Sequence, residues 1–189
     1  MRLKRVVFLI IILSFLQSTG QEIEPAIAFW NTLKSHCGNA YEGTLISPEK
    51  DENFGGKRLV MHVKSCTENK IKIPFYVGEN KSRTWILTIN DGVITLKHDH
   101  RHKDGTMETV NFYGGTSTNK GKADIQFFPA DAHTQAQLPE AATNIWWITL
   151  NDKTFTYNLR RLGTDRVFKI AMDLTKPIET PEAPWGWKD

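Results

Sequence analysis

The stretch Lys97-His98-Asp99-His100-Arg101-His102 places three of the chain's six histidines at alternate positions. Side chains along an extended backbone point to opposite faces in turn, so the three imidazoles share one face. Two chemistries use such a row. A His-x-His pair on a strand is a common first half of a zinc, copper or iron site. Imidazoles beside guanidinium groups instead form a receptor for carboxylate or phosphate, which arginine binds in bidentate fashion. The sequence has no Gly-x-Ser-x-Gly elbow, no HExxH and no CxxC pair, so the common hydrolase and zinc-ribbon patterns are absent. Asp131 and His133, two residues apart on a helix-like stretch, do not face each other, and His133 reads as a surface residue. Asn80-Lys81-Ser82 matches a glycosylation acceptor on a loop.

Which residues join the histidines depends on strand register. Asp91-Gly92 and Asp104-Gly105 each lie between alternating stretches, a strong hairpin signal. Across Asp91-Gly92, Ile89 pairs with Ile94, Leu87 with Leu96, Trp85 with His98 and Arg83 with His100. Across Asp104-Gly105, a two-residue turn pairs His102 with Met107, His100 with Thr109 and His98 with Asn111. The shared face is apolar at one end and polar at the other, as at the mouth of a pocket. A turn at Gly163-Thr164 pairs Arg161 with Arg166, Leu159 with Phe168 and Tyr157 with Ile170. In an unbroken meander the turns at 104–105 and 163–164 fall at the same end, unless 129–142 hides a crossover. One rim then holds Arg83, His98, His100, His102, Asn111, Arg161 and Arg166, with Trp85 and Tyr157 beneath and Trp146 and Tyr113 as further stacking walls. The expected guest is a small amphipathic molecule with an acidic group, bound without a cofactor and without catalysis. The alternative is a divalent metal such as zinc on His98, His100 and His102. That alternative lacks good ligands on the neighbouring strands unless His62 turns inward, and Arg83 beside His100 would repel a dication.

The elements that carry these residues follow from texture. Ile23, Ile27, Trp30 and Leu33 recur at helical spacing over 22–36. Beyond Gly38, short runs rich in Val, Ile, Thr, Phe, Tyr and Trp alternate with turn residues every 8–12 positions. Strands are expected at 41–47, 58–65, 70–77, 83–90, 93–102, 106–113, 122–128, 143–150, 154–162 and 165–173, with some helical character at 130–142. About ten antiparallel strands in an open sheet would leave aggregating edges. The expectation is therefore an all-β, up-and-down barrel of the calycin type with an N-terminal helix, a two-sheet sandwich being the alternative. The domain spans 21–173, and the Pro- and Trp-rich tail 174–189 lies extended over the body.

Residues 1–5 are basic, 6–16 are unbroken apolar, and Ser18 and Gly20 are small residues at cleavage spacing: the three-part pattern of a secretory signal over 1–20. Eleven apolar residues fall well short of the ~20 that a membrane-crossing helix needs, so no stable membrane insertion is expected after cleavage. Removing Arg2, Lys4 and Arg5 from the 24 basic residues leaves 21, equal to the 21 acidic ones. That neutrality argues against nucleic acid as a partner. The remaining chain reads as a monomer in an oxidising compartment, periplasmic or secreted. Cys37 precedes the first strand and Cys66 ends the second, so strand alternation brings both to the end opposite the histidines. A disulfide there would tie the helix across the base; two free buried thiols are the alternative.

Phe29-Trp30, Cys37-Gly38-Asn39-Ala40-Tyr41-Glu42-Gly43, Lys97 through Gly105 (KHDHRHKDG), Tyr113-Gly114-Gly115 and Pro184-Trp185-Gly186 together resemble a family of small exported bacterial proteins of unassigned function. The resemblance spans nearly all of the chain after residue 20 and implies a periplasmic or secreted setting; it carries over no site residue. Similarity to calycins is looser and at the level of fold alone. Ala40-Tyr41-Glu42-Gly43 stands where lipocalins carry Gly-x-Trp.

Overall fold

The computed structural model describes residues 24–48 and 51–188. The expected export segment and Ile23 lie outside the described residues. A helix, α1 (Pro25–Ser35), precedes strands β1 (Ala40–Ser47), β2 (Leu59–His62), β3 (Ser65–Cys66), β4 (Lys70–Val77), β5 (Asn80–Asn90), β6 (Val93–His100), β7 (Tyr113–Thr116) and β8 (Ile125–Pro129). A short helix α2 (Ala132–Gln137) and a 3-10 turn (Pro139–Ala141) lead to β9 (Asn144–Leu150), β10 (Thr154–Arg161) and β11 (Val167–Ile178). Except between β7 and β8, consecutive strands pair antiparallel, β2 and β3 acting as one interrupted strand along β4, and β11 returns to pair with β1. The result is a nearly closed up-and-down barrel of ten strands rather than a sandwich. No crossover hides in 129–142, because β8 and β9 pair directly.

The Asp91-Gly92 hairpin has the expected register from Arg83↔His100 to Ile89↔Ile94. Asp91 and Gly92 have φ of 48° and 73°, the positive values that a two-residue turn matched to strand twist requires. The β9–β10–β11 register also matches expectation, from Tyr157↔Ile170 to Leu159↔Trp146.

The Asp104-Gly105 hairpin differs. His102 N–H donates to the Thr106 carbonyl (2.8 Å) and Arg101 bridges Met107, so three residues make the turn, with Gly105 at φ 88°. The returning arm 106–112 is not a strand, and by β7 the register has slipped until His98 pairs with Tyr113 instead of Asn111. Asn111 holds the resulting bulge. Its Oδ1 accepts from the His100 and Phe112 amides at 2.9 and 2.8 Å, and its Nδ2 donates to the His100 carbonyl at 3.0 Å. A side-chain amide thus supplies the partners that a regular ladder would have given.

The seam between β7 and β8 closes through one bridge, Gly115↔Ala130, and an Asp131 N–H bond to the Gly114 carbonyl of 3.1 Å. Thr134 on α2 completes it. Its hydroxyl accepts from Gly114 N–H and donates to the Gly114 carbonyl, both at 2.7 Å. The approach demands glycine: a Cβ on Gly115 would lie 1.8 Å from the Pro129 carbonyl oxygen.

Helix α1 plugs the end away from the histidines. Its buried stripe is Ala26, Phe29, Trp30 and Leu33, i, i+3, i+4, i+7 spacing that keeps the expected Trp30 and Leu33 but has Ala26 and Phe29 in place of Ile27, which is only half-buried. Trp30 Nε1–H donates to the Glu68 carbonyl at 3.1 Å, and Cys37 is disulfide-bonded to Cys66. Above the helix the interior is solid: Leu87, Ile94, Leu96, Phe128, Ile148, Phe155 and Ile170 are fully buried. The last strand runs to Ile178, beyond the expected boundary at 173, because Pro177 and Ile178 pair with Tyr41 and Ala40.

The cysteines lie 29 residues apart, and in the chain-entropy model a cross-link of that span stabilises by about 3.5 kcal/mol. Replacing both, Cys37→Ser with Cys66→Ser, should lower the denaturant-unfolding free energy by that order. A loss below about 1 kcal/mol would mean that the Trp30 face alone seats the helix.

Candidate functional site

At the end opposite α1, a cavity of about 160 Å³ opens between the strand tips. Its floor is an aromatic stack. Phe75 lies on Trp85 with centroids 4.8 Å apart and planes 14° apart, and Trp85 lies on Tyr157 at 4.4 Å and 10°. These rings come from β4, β5 and β10, where strand alternation turns them inward. Offset stacking adds roughly 0.5–1.5 kcal/mol per pair to the burial of the rings.

His98 spans the interior above this floor. Its Nδ1 is 2.9 Å from the Tyr113 carbonyl oxygen and its Nε2 is 2.7 Å from the Tyr157 hydroxyl. A carbonyl oxygen only accepts, so Nδ1 carries the proton and Nε2 accepts from Tyr157. Burial, reinforced by the nearby His100 and Lys97, pushes the His98 pKa down to about 3 despite the Tyr113 carbonyl. His98 is a neutral strut. The Tyr113 ring stacks on it at 4.6 Å and 11°.

His100 sits higher. Its Nε2 is 3.0 Å from the Tyr113 hydroxyl and its Nδ1 is 3.6 Å from Glu108 Oε2. Burial first, then Arg83, lowers its pKa, while Glu108 and Asp99 pull upward. Burial pushes the Tyr113 phenol up to about 12, against the opposing pull of Arg83 and Arg166.

Three guanidinium groups line the mouth: Arg83, Arg161 and Arg166. Arg161 Nε donates to Asn144 Oδ1 at 2.9 Å, and Arg83 lies 5.6 Å above the Phe54 ring. Among the described residues, none of the three has a carboxylate oxygen within 4.0 Å. The carboxylates of Asp99 and Asp131 pair with Arg101 and Lys97 and do not line this cavity.

Of the residues expected at the rim, Arg83, Trp85, His98, His100, Tyr157, Arg161 and Arg166 all line this cavity. His102 is exposed on the hairpin tip and Asn111 is buried in the bulge; neither lines it. His102 flanks the three-residue turn at the hairpin tip, and the bulge that Asn111 holds takes up extra residues in the returning arm, which puts Tyr113 in the position expected for Asn111. The histidines do not converge on a point. Both His98 nitrogens and the Nε2 of His100 are already bonded, and no group of three or more His, Cys, Asp or Glu side chains among the described residues could hold a metal ion. His62 is buried where β2 pairs with Ala40, at the start of β1. Leu159 and Phe168, paired in the expected register, also line it, as do Asn144, Thr84, Phe54, Phe75 and Leu138, of which Thr84, Phe54, Phe75 and Leu138 were not anticipated. Inward alternation on β4 would have flagged Phe75; nothing in the sequence places the loop residue Phe54. No family model and no curated protein matches the chain, and no described helix is long and apolar enough to cross a membrane.

The protonation of His98 has a thermodynamic consequence. Its folded pKa, about 3, lies far below the ordinary imidazole value of 6.5. Above pH 6.5 both folded and unfolded chains hold it neutral, and nothing is lost. Below pH 6.5 the unfolded chain takes up the proton that the folded one refuses, so stability should fall by about 1.4 kcal/mol per pH unit toward pH 3. His36, His62 and His100 are lowered too and act in the same direction. Unfolding free energies from pH 7 to 4 for wild type and His98→Gln check this. The variant should have the shallower slope, and parallel slopes would sink the assignment.

Proposed function

We propose that this protein is an exported binder of a small organic anion, a carboxylate or phosphate on a flat apolar body. The observation that carries the reading is the convergence of Arg83, Arg161 and Arg166, none with a carboxylate partner, on one aromatic-floored cavity. Unpaired guanidinium groups around a concavity raise the local concentration of anions and dock their oxygens pairwise. Phe75, Trp85 and Tyr157, stacked on one another, floor the cavity with apolar surface on which a flat body can rest. The volume sets the scale, for a cavity of about this size takes a benzene-sized group, and the packed interior leaves no room for a long chain. His98 and Tyr157 satisfy one another, so the floor makes few polar demands on the guest. The disulfide and the signal-like residues 1–20 support a periplasmic or secreted setting, as does the resemblance to small exported bacterial proteins. The site is built within one chain, consistent with a monomer.

Benzoate and phenyl phosphate are suitable probes, with toluene as the uncharged control. Calorimetry should detect both anions and not toluene. Arg83→Ala, which removes a charge-assisted contact, should weaken binding about tenfold or more. Wild-type affinity unchanged by that substitution would overturn the reading.

His100 adds a pH dependence. Its pKa is lowered from 6.5 by burial and by Arg83, so it is neutral at pH 7 and gains charge only below its lowered value. A bound anion favours the protonated form, so affinity for benzoate should rise as pH falls through that range, and His100→Gln should flatten the profile. Affinity that falls with acidification would contradict the role of His100.

A further inference from the structure

The C-terminal segment beyond β11 crosses the outer face of β4, β5 and β6. It is fastened at several points. The Tyr76 hydroxyl donates to the Glu182 carbonyl at 2.9 Å, the Trp185 amide donates to the Lys81 carbonyl at 3.1 Å, and the Glu182 carboxylate pairs with Lys81. Gly186 meets the hairpin turn so closely that a Cβ on Gly105 would lie 2.9 Å from its Cα. Trp187 is flanked by Lys64 and Lys72, each 5.2 Å from its ring centre. Between this strap and the sheet lie two grooves, of about 570 and 420 Å³, and Trp185 lines both. The larger lies on the opposite face of β5 and β6 from the arginine mouth, since Ile86, Asp99 and Arg101 alternate with Trp85, His98 and His100, and the smaller lies at the β4–β5 turn, lined by Glu79, Asn80, Lys81 and Lys103.

The chemistry of this groove differs from that of the mouth. Its lining mixes both signs, Lys72, Arg101 and Lys188 with Asp99 and Asp104. Arg101 Nε lies 2.9 and 3.1 Å from the two Asp99 oxygens, and Asp104 Oδ1 accepts from the Thr106 amide and hydroxyl at 2.9 and 2.7 Å. Donors and acceptors therefore alternate along the groove, and the outer edges of these groups still donate and accept. Beside them stands a half-buried indole, Trp185, whose Nε1–H has no hydrogen-bond partner among the described residues. A large aromatic face set among alternating donors and acceptors suits a guest with one apolar face and hydroxyls around its edge.

We infer that the groove under the C-terminal strap is a second ligand site, which takes a neutral oligosaccharide with a sugar ring stacked on Trp185 and its hydroxyls on Arg101, Asp99 and Asp104. Two grooves adjoining at one indole suit more than one sugar unit. The strap fixes the platform before binding, so little ordering cost remains.

Cellotriose, maltotriose and triacetylchitotriose serve as probes, titrated into the purified protein while the indole N–H resonances are followed by NMR. At least one should move the Trp185 resonance saturably, with a Kd of about 1 mM or tighter. Trp185→Ala, which lacks that resonance and is therefore titrated by calorimetry alongside the wild type, should weaken that binding about tenfold or more. Ile86→Arg, which fills the groove floor and leaves the strap untouched, should do the same. Arg83→Ala should leave sugar binding unchanged, and benzoate should bind regardless of sugar, so failure here is separate from failure at the mouth. The inference is overturned if no probe shifts the Trp185 indole at about 10 mM, if calorimetric binding persists undiminished in both groove variants, or if binding vanishes only in Arg83→Ala.

Discussion

One imidazole, wedged between a carbonyl on one wall of the barrel and a phenol on another, sets the character of the mouth. His98 reaches from β6 to the Tyr113 carbonyl on β7 and to the Tyr157 hydroxyl on β10. Without it, two buried polar groups would lack partners, each at a cost of about 1–3 kcal/mol. With it, the upper interior closes as a satisfied polar layer over packed aromatics. The tautomer is fixed by the carbonyl, and the low pKa follows from burial. This neutral strut keeps Tyr113 and Tyr157 in place and leaves the positive charge of the mouth to the arginines above.

That division explains why two faces of the same hairpin differ in chemistry. Arg83 and His100 point inward toward the cavity, and among the described residues Arg83 has no carboxylate oxygen within 4.0 Å, while His100 has Glu108 beside it. Their sequence neighbours Asp99 and Arg101 point outward and neutralise one another. Period-two alternation therefore separates an unbalanced face from a balanced one along a few residues of chain.

Much of this was legible in the residues. Both registers flanking Asp91-Gly92 and Gly163-Thr164 could be written from turn chemistry and alternation, and with them the placement of Arg83, Trp85, His98, His100, Tyr157, Arg161 and Arg166. The disulfide partners followed from counting strand ends. What failed was local. Asp104-Gly105 has the same dipeptide as Asp91-Gly92, yet Lys103 joins the turn, and Asn111 stabilises a bulge by bonding backbone groups across it. A dipeptide reports that the chain reverses, not how many residues reverse it. The solidity of the interior was also invisible, since an inward-facing aromatic reads alike whether it lines a void or fills one. Phe54 is out of reach for a further reason: its place on the cavity wall comes from a loop whose path no periodicity encodes.

The way the β7–β8 seam is joined has a dynamic corollary. Elsewhere the barrel's neighbours share runs of backbone bonds, but here a four-residue strand meets its partner through one bridge and the hydroxyl of Thr134. Cooperative opening begins where the fewest bonds must break together. Breathing of the hoop is thus concentrated in the stave that begins with Tyr113, beside the cavity, while the disulfide-tied base stays shut. Resistance to opening is thereby graded along the barrel axis, from the sealed floor to the entrance.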